Sequence, residues 1–214
     1  NIIVASLSKA FPNIPIVSEE FNSKENNENL QNDCFIIDPL DATKNFIRGI
    51  PHFDLSIAYI ENSQPIIGVV YNPALNYLYF AYKGSGAFFN NKKIKTVKCK
   101  SLELANLNVN IHKLPKEKYT KIINATYGKT KSIRHFGNAV VETCMIANGT
   151  IDGLINQYLS LWDFAACSLI LEEAGGIITN LEGKSLNYQS LEKETLLAIG
   201  DLSLHEKLLK DINI

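Results

Sequence analysis

No apolar run in the 214-residue sequence approaches the roughly 20 residues that a membrane-spanning helix requires. The residues given open without the basic-then-apolar pattern of a secretory signal segment. Cysteine is scarce: Cys34, Cys99, Cys144 and Cys167 lie far apart and make no C-x-x-C pair, which excludes a zinc knuckle and a disulfide framework. Each stands among apolar neighbours and reads as a reduced core thiol, the pattern of a cytoplasmic protein. Excess charge is missing as well. A net charge of −1 gives no reason to expect a nucleic acid or a membrane surface as partner. The glycines of "KGSGAFFNNKKIK" lack the G-x-x-x-x-G-K-[ST] spacing of a P-loop and read as a hairpin turn. His52, His112, His135 and His205 keep no metal-site spacing and read as structural.

What is present is an ordinary globular composition, 46% hydrophobic and 20% charged, enough to bury a large core. "NIIVASLSKAFPNIP" places Ile2, Ile3, Leu7 and Phe11 at helical spacing before Pro12. It reads as the tail of a helix whose beginning is absent. "PIVSEE" and "CFIID" are short apolar strands ending in acids, separated by a polar stretch, "FNSKENNENLQND", that reads as an exposed loop. From Asp54 to Phe89, "LSIAYI", "PIIGVVY", "YLYFAY" and "GAFFN" predict an antiparallel meander. "NNKKIKTVKCK" reads as a solvated edge. "LNVNI" predicts another strand, "PKEKYTKIINATYG" and "NAVVETCMIANG" two helices, and "SLWDFAACSLILEEAGG" a buried third helix stopped by its glycines. "GIITNL" and "TLLAIG" predict late strands and "DLSLHEKLLKDI" a surface helix. Strands first run together and then alternate with helices, so layered α+β or α/β packing is expected. The whole chain, 1–214, is expected to be one unit, with a sheet half at 1–105 and an α/β half at 106–214.

The chemistry is carried by acids. Asp38 and Asp41 follow an apolar run in "CFIIDPLDATKNF". A turn explains them too, because Asp-Pro starts turns and Asp41 can cap the short helix "ATKNFIRG". Yet two separate apolar strands end in carboxylates. If they are neighbours, Glu19, Asp38 and Asp41 converge at one sheet edge, where mutual repulsion asks for a divalent cation. Oxygen-only ligands favour Mg²⁺, Mn²⁺ or Ca²⁺ over zinc. Asp163 in "SLWDFAA" fits a capping box with Ser160, but it also heads an apolar helix beside the lone Trp162. Amides at the helix start after Asp41 favour an anion such as phosphate. Carboxylate-held metals beside a phosphate are what metal-assisted phosphoester hydrolysis needs. A haloacid-dehalogenase-type aspartyl-phosphate mechanism would need D-x-D, and the spacing here is D-x-x-D.

Three motifs, in order, resemble the inositol monophosphatase superfamily. "DPLDATKNF" is similar to its D-P-[IL]-D-G-T-x-x-F signature, "SEE" to its [GS]-E-E, and "WDFAACSLILEEAGG" to its W-D-x-A-A-x-x-x-[IL]-x-x-E-A-G-G. The resemblance covers about Ile2 to Gly200. It implies a layered α-β-α-β-α sugar-phosphatase sandwich lacking its N-terminal helices, and a Mg²⁺-dependent, Li⁺-sensitive phosphomonoesterase. Two or three Mg²⁺ ions are implied, with Mn²⁺ as a possible substitute. Carried over residue by residue, Glu19, Asp38, the Leu40 carbonyl, Asp41 and Asp163 are implied metal ligands. Thr43, Asp41 and Glu19 are implied catalytic residues. Ala42 and Thr43 are implied phosphate contacts, and Gly137, Asn138, Ala139, Asn156 and Asp163 implied substrate contacts. The substrate would be a small phosphorylated metabolite, and a homodimer is possible.

Two positions depart from the family pattern. Ala42 replaces the signature glycine and is strained if that position needs φ > 0. Asn156 stands where inositol-binding members carry glutamate, which weakens the acceptor for sugar hydroxyls. "VSEE" and "TK" resemble the 3'(2'),5'-bisphosphate nucleotidase branch, "KNF" and "GIPHF" the inositol monophosphatase branch. A phosphatase-like binding protein with weak catalysis is the other reading. The family's water-activating aspartate precedes "SEE", and the eighteen residues before Glu19 contain no acid. A gene product longer by several tens of residues, with a T-x-x-D-like element, is therefore expected.

Overall fold

Strand alternation and helical periodicity resolve into two sheets in the computed structural model, which describes residues 2–99 and 101–214. Asn1 and Lys100, the last residue of the basic stretch, lie outside the described residues. Helix α1 (Ile2–Ala10) precedes strand β1 (Ile16–Ser18), and helix α2 (Ser23–Asn29) precedes strand β2 (Cys34–Asp41). β1 and β2 are parallel, with Ile16 opposite Phe35 and Ser18 opposite Ile37, so both strands run out at the same edge. After the short helix α3 (Thr43–Ile47) come β3 (Asp54–Glu61), β4 (Gln64–Asn72), β5 (Tyr77–Tyr82), β6 (Gly86–Phe89) and β7 (Lys92–Ile94). They form the expected antiparallel meander, and the first sheet is ordered β1-β2-β3-β4-β5-β6-β7.

The second sheet is built from β8 (Asn106–Asn110), β9 (Ser132–Arg134), β10 (Gly153–Leu159), β11 (Ile177–Asn180) and β12 (Glu194–Ile199), ordered β11-β12-β10-β8-β9. Its helices are α4 (Lys116–Thr126), α5 (Ala139–Ala147), α6 (Ala165–Glu173) and α7 (Leu202–Ile212). α5 and α6 are apolar nearly all round because both their faces are covered. Val140, Cys144, Ile170 and Leu171 pack in one cluster with Ile36, Val70 and Tyr79 of the first sheet and with Leu154 and Ala198 of the second. The outer face of the second sheet packs Leu107, Ile155 and Leu197 against Ile122 of α4 and Leu204 and Leu208 of α7. The outer face of the first packs Ile16, Phe35 and Ile37 against Ile3, Val4 and Leu7 of α1. The result is an α-β-α-β-α sandwich. Each fully buried Ile or Leu contributes about 1.5–3 kcal/mol, and the four cysteines are buried and unpaired.

Gly68 sets the distance between the first sheet and the central helices. A Cβ there would lie 2.5 Å from the Ala166 carbonyl oxygen, so α6 rests directly on the backbone of β4.

Two elements differ from expectation. "FNSKENNENLQND" contains helix α2 rather than only a loop. Asn22 caps it, accepting from the Glu25 amide at 3.0 Å. Asn26 is buried, and its amide accepts from Ser18 N–H at 3.0 Å and donates to the Ser18 carbonyl at 2.7 Å. Asn29 Nδ2 donates to the Ile16 carbonyl at 2.6 Å, so two asparagine side chains of α2 replace a missing strand neighbour for β1, which a polarity pattern does not reveal. The expected helix "SLWDFAACSLILEEAGG" is split. Leu161–Asp163 form a 3₁₀ turn inside a capping box between Ser160 and Asp163, and Phe164 at φ −133° separates it from α6.

Candidate metal and phosphate site

Residues 38 and 41, an odd number apart, would face opposite sides of a regular strand. They do not, because β2 bulges. Asp38 pairs with Ser56 and Asp41 with Asp54, so three steps on β2 match two on β3. Pro39, which has no N–H to give a ladder, stands inside the bulge. The extra residue turns Asp41 to the side that Asp38 occupies. The 3₁₀ turn after β10 brings Asp163 to the same place. One carboxylate oxygen from each of Asp38, Asp41 and Asp163 lies within 4.8 Å of the others.

Local hydrogen bonds hold these acids. Asp38, buried to 1% exposure, accepts from the Leu40 amide at 2.9 Å. Asp163 accepts from the Ser160 amide at 2.8 Å, so it both caps its turn and joins the cluster. Glu19 follows β1, its amide donating to the Ile37 carbonyl at 3.4 Å. Its side chain is exposed, and its charge repels that of Asp38. The Leu40 carbonyl accepts from the Thr43 hydroxyl at 3.2 Å, which keeps that hydroxyl beside the cluster.

Ala42 sits between Asp41 and α3 with φ 60° and ψ 46°, the left-handed region. An alanine there costs about 1–2 kcal/mol. Ala42→Gly removes that cost and returns part of it through the more flexible unfolded chain. A net gain of about 1 kcal/mol, or roughly 2–4 °C in melting temperature, is expected. Paired thermal melts check this, and an unchanged or lower midpoint would show that the backbone is relaxed at Ala42.

The candidate substrate loop is tied to the same edge. Gly137 has φ 79°, Asn138 and Ala139 are buried, and Asn138 caps α5 by accepting from Val141 N–H at 2.8 Å. Asn45 of α3 donates to the carbonyls of His52, at 2.8 Å, and Phe136, at 2.9 Å. Glu142, fully buried, accepts from the amides of Phe136 and Asn138 at 2.9 and 3.2 Å. Asn156 is buried in β10, where its oxygen accepts from Asn110 Nδ2 at 3.1 Å and from the Gln157 amide at 2.8 Å.

Asp54 is a site residue that sequence reasoning missed. It is 1% exposed and opposite Asp41 in register. Its Oδ2 accepts from Asn138 Nδ2 at 2.6 Å. The signal was legible: Asp54, Ser56, Ala58 and Ile60 alternate inward along β3, so the acid in "PHFDLSIA" had to face the core.

Electrostatics follow from crowding. Burial, then Glu19 and Asp163, push Asp38 up to about 7 against its Leu40 hydrogen bond. Burial and Glu19 push Asp163 up to about 6, opposed by the Ser160 amide and Lys193. Burial and mutual repulsion hold Asp41 and Asp54 well above the usual carboxylate range. Burial and Glu20 raise Glu19, against the hydrogen bond from Asp38 and the charge of Lys193. Asp41 Oδ2 and Asp54 Oδ1 are buried without a hydrogen-bond partner among the described residues. Orphaned oxygens in an all-carboxylate cluster fit a hard divalent cation.

The model of the inositol monophosphatase family matches residues 1–214. A fructose-1,6-bisphosphatase/inositol-1-monophosphatase of Thermotoga maritima is 34% identical over 213 residues, covering 99% of this chain and 78% of that protein. The native structure of extragenic suppressor protein suhB from Bartonella henselae has a TM-score of 0.87 at 33% identity, covering 99% of this chain and 81% of that one. The 2'AMP-bound structure of SaIMPase-II has a TM-score of 0.86 at 26% identity, covering 98% and 79%.

Proposed function

Because the chain belongs to the inositol monophosphatase family, and is therefore a phosphatase, we propose that it hydrolyses a small phosphate monoester such as inositol monophosphate at the Asp38–Asp41–Asp163 cluster. The observation that carries the reading is the convergence of three carboxylate oxygens within 4.8 Å next to the start of α3. Asp38, Asp41 and Asp163 would hold Mg²⁺, or Mn²⁺ in its place, with Glu19 and the Leu40 carbonyl at the rim. When bound, such ions neutralise phosphate charge and supply an activated water. The chain's own groups do the rest. The Ala42 and Thr43 amides, at the start of α3, orient phosphate oxygens. The Thr43 hydroxyl, now on the Leu40 carbonyl, would orient the attacking water. Gly137, Asn138 and Ala139 bound the space for the rest of the substrate.

A second reading is a 3'(2'),5'-bisphosphate nucleotidase. Asn156 favours it, since its side chain is already committed to Asn110 and Gln157 and offers little to an inositol hydroxyl. The 2'AMP held by the similar SaIMPase-II points the same way. A Mg²⁺ assay with inositol monophosphate, adenosine 3',5'-bisphosphate and fructose 1,6-bisphosphate separates the readings. Turnover of at least one is expected, with inhibition by LiCl where matched NaCl has no effect. No rate above background on any of them, in a full-length protein, would sink the catalytic reading.

A further inference from the structure

We propose that Asp54 belongs to the metal centre as a positioning residue: a carboxylate behind Asp41 that links the bound cations to the substrate-side loop through Asn138. The proposal rests on the metal reading above. Its basis is separate from the three motifs, none of which includes position 54.

Asp54 is buried to 1% exposure, and none of the ion pairs among the described residues involves it. The charges that act on it are those of Asp38 and Asp163, with Asp41 opposite it in register. An isolated buried carboxylate is costly unless paired or bound to a cation. Among the described residues Asp54 Oδ1 has no hydrogen-bond partner, and neither has Asp41 Oδ2. Two orphaned acids on adjacent strands, within the field of two further acids, ask for positive charge from outside the protein. The other oxygen of Asp54 is engaged: it accepts from Asn138 Nδ2 at 2.6 Å. Asn138 in turn caps α5 and shares the His52 carbonyl with Asn45 of α3. The charge state of the metal site therefore reaches the Gly137–Ala139 loop along a chain of short contacts. Supporting groups of this kind typically change metal affinity 10–100-fold when removed.

Asp54→Asn tests the charge alone, because an asparagine oxygen can still accept from Asn138. Asp54→Ala removes the charge and the hydrogen bond together. Titration calorimetry with MgCl₂ and melts with and without Mg²⁺ are the readouts. Both variants should bind Mg²⁺ about tenfold more weakly than wild type and show a smaller Mg²⁺-dependent melting shift. Only Asp54→Ala should also raise KM, by loosening the loop. If Asp54→Asn misfolds, Asp54→Ala still supplies the Mg²⁺-affinity comparison with wild type. Wild-type affinity and an equal melting shift in either folded variant would overturn the proposal, leaving Asp54 as a structural partner of Asn138. Absence of Mg²⁺ binding to wild type would instead bring down the metal reading, and this inference with it.

Discussion

Asp41→Asn should leave the protein folded and cut turnover by roughly 10²–10³-fold, the scale on which preorganised transition-state charge stabilisation is lost. The two halves of the result have one cause. In the metal-free protein Asp41 is repelled by Asp54, Asp163 and Asp38, and its Oδ2 has no hydrogen-bond partner among the described residues. Removing that charge relieves the apo state, so the variant's melting temperature without metal should rise. Charge repulsion that burdens the empty site is also what attracts the cation. The Mg²⁺-dependent melting shift should therefore shrink sharply. Melts with and without MgCl₂, together with kcat, check both halves. An undiminished Mg²⁺ shift in the variant would remove Asp41 from the ligand set.

The second large effect is on pH. Without divalent metal, the melting temperature should fall by about 10 °C between pH 5 and pH 8. The folded-state pKa values of Asp38, about 7, and Asp163, about 6, lie above an unfolded value near 3.9. The folded protein thus holds these protons more tightly than the unfolded chain. The resulting stability is fully present below pH about 4 and is lost as pH rises through 6 and then 7. Mg²⁺ competes with the same protons, so its affinity should climb across that window, and saturating Mg²⁺ should flatten the fall. Melts at several pH values, with chelator and with Mg²⁺, read this directly. A metal-free profile that is flat or rises from pH 5 to pH 8 would mean that these acids are ionised in the folded state.

Much of this was written in the sequence because side-chain period and burial coincide there. The alternating runs from Asp54 to Phe89 marked half-buried strands, and the helix of "SLWDFAACSLILEEAGG", apolar nearly all round, marked a buried layer. Asp38 and Asp41 were legible from acids placed where an apolar strand stops, and Asp163 from an acid heading an apolar helix. The bulge at Pro39 was not, since it depends on pairing with β3, and without it Asp38 and Asp41 would diverge. Helix α2 was hidden because Asn26 is buried for its amide, not for any apolar surface. Asp54 went unread because an acid at the start of a strand is ordinarily solvated, and only the inward parity of Ser56, Ala58 and Ile60 marks it as facing the core.

β1 is three residues long and has one sheet neighbour, β2. Beyond it, β1 meets only two side-chain amides among the described residues, Asn26 at Ser18 and Asn29 at the Ile16 carbonyl, and α1, which lies over this corner, has no fully buried residue of its own. Such an edge opens locally at a lower free-energy cost than the centre of the sheet. Glu19 rides on this segment, whereas Asp38 and Asp41 stand on the strand paired on both sides by β1 and β3. An ion gripped by both would act as a rivet across a seam between a loose flap and a rigid plate. Lifting of the flap while the plate stays folded would give the proposed metal site a route for loading and releasing ions without unfolding of the protein.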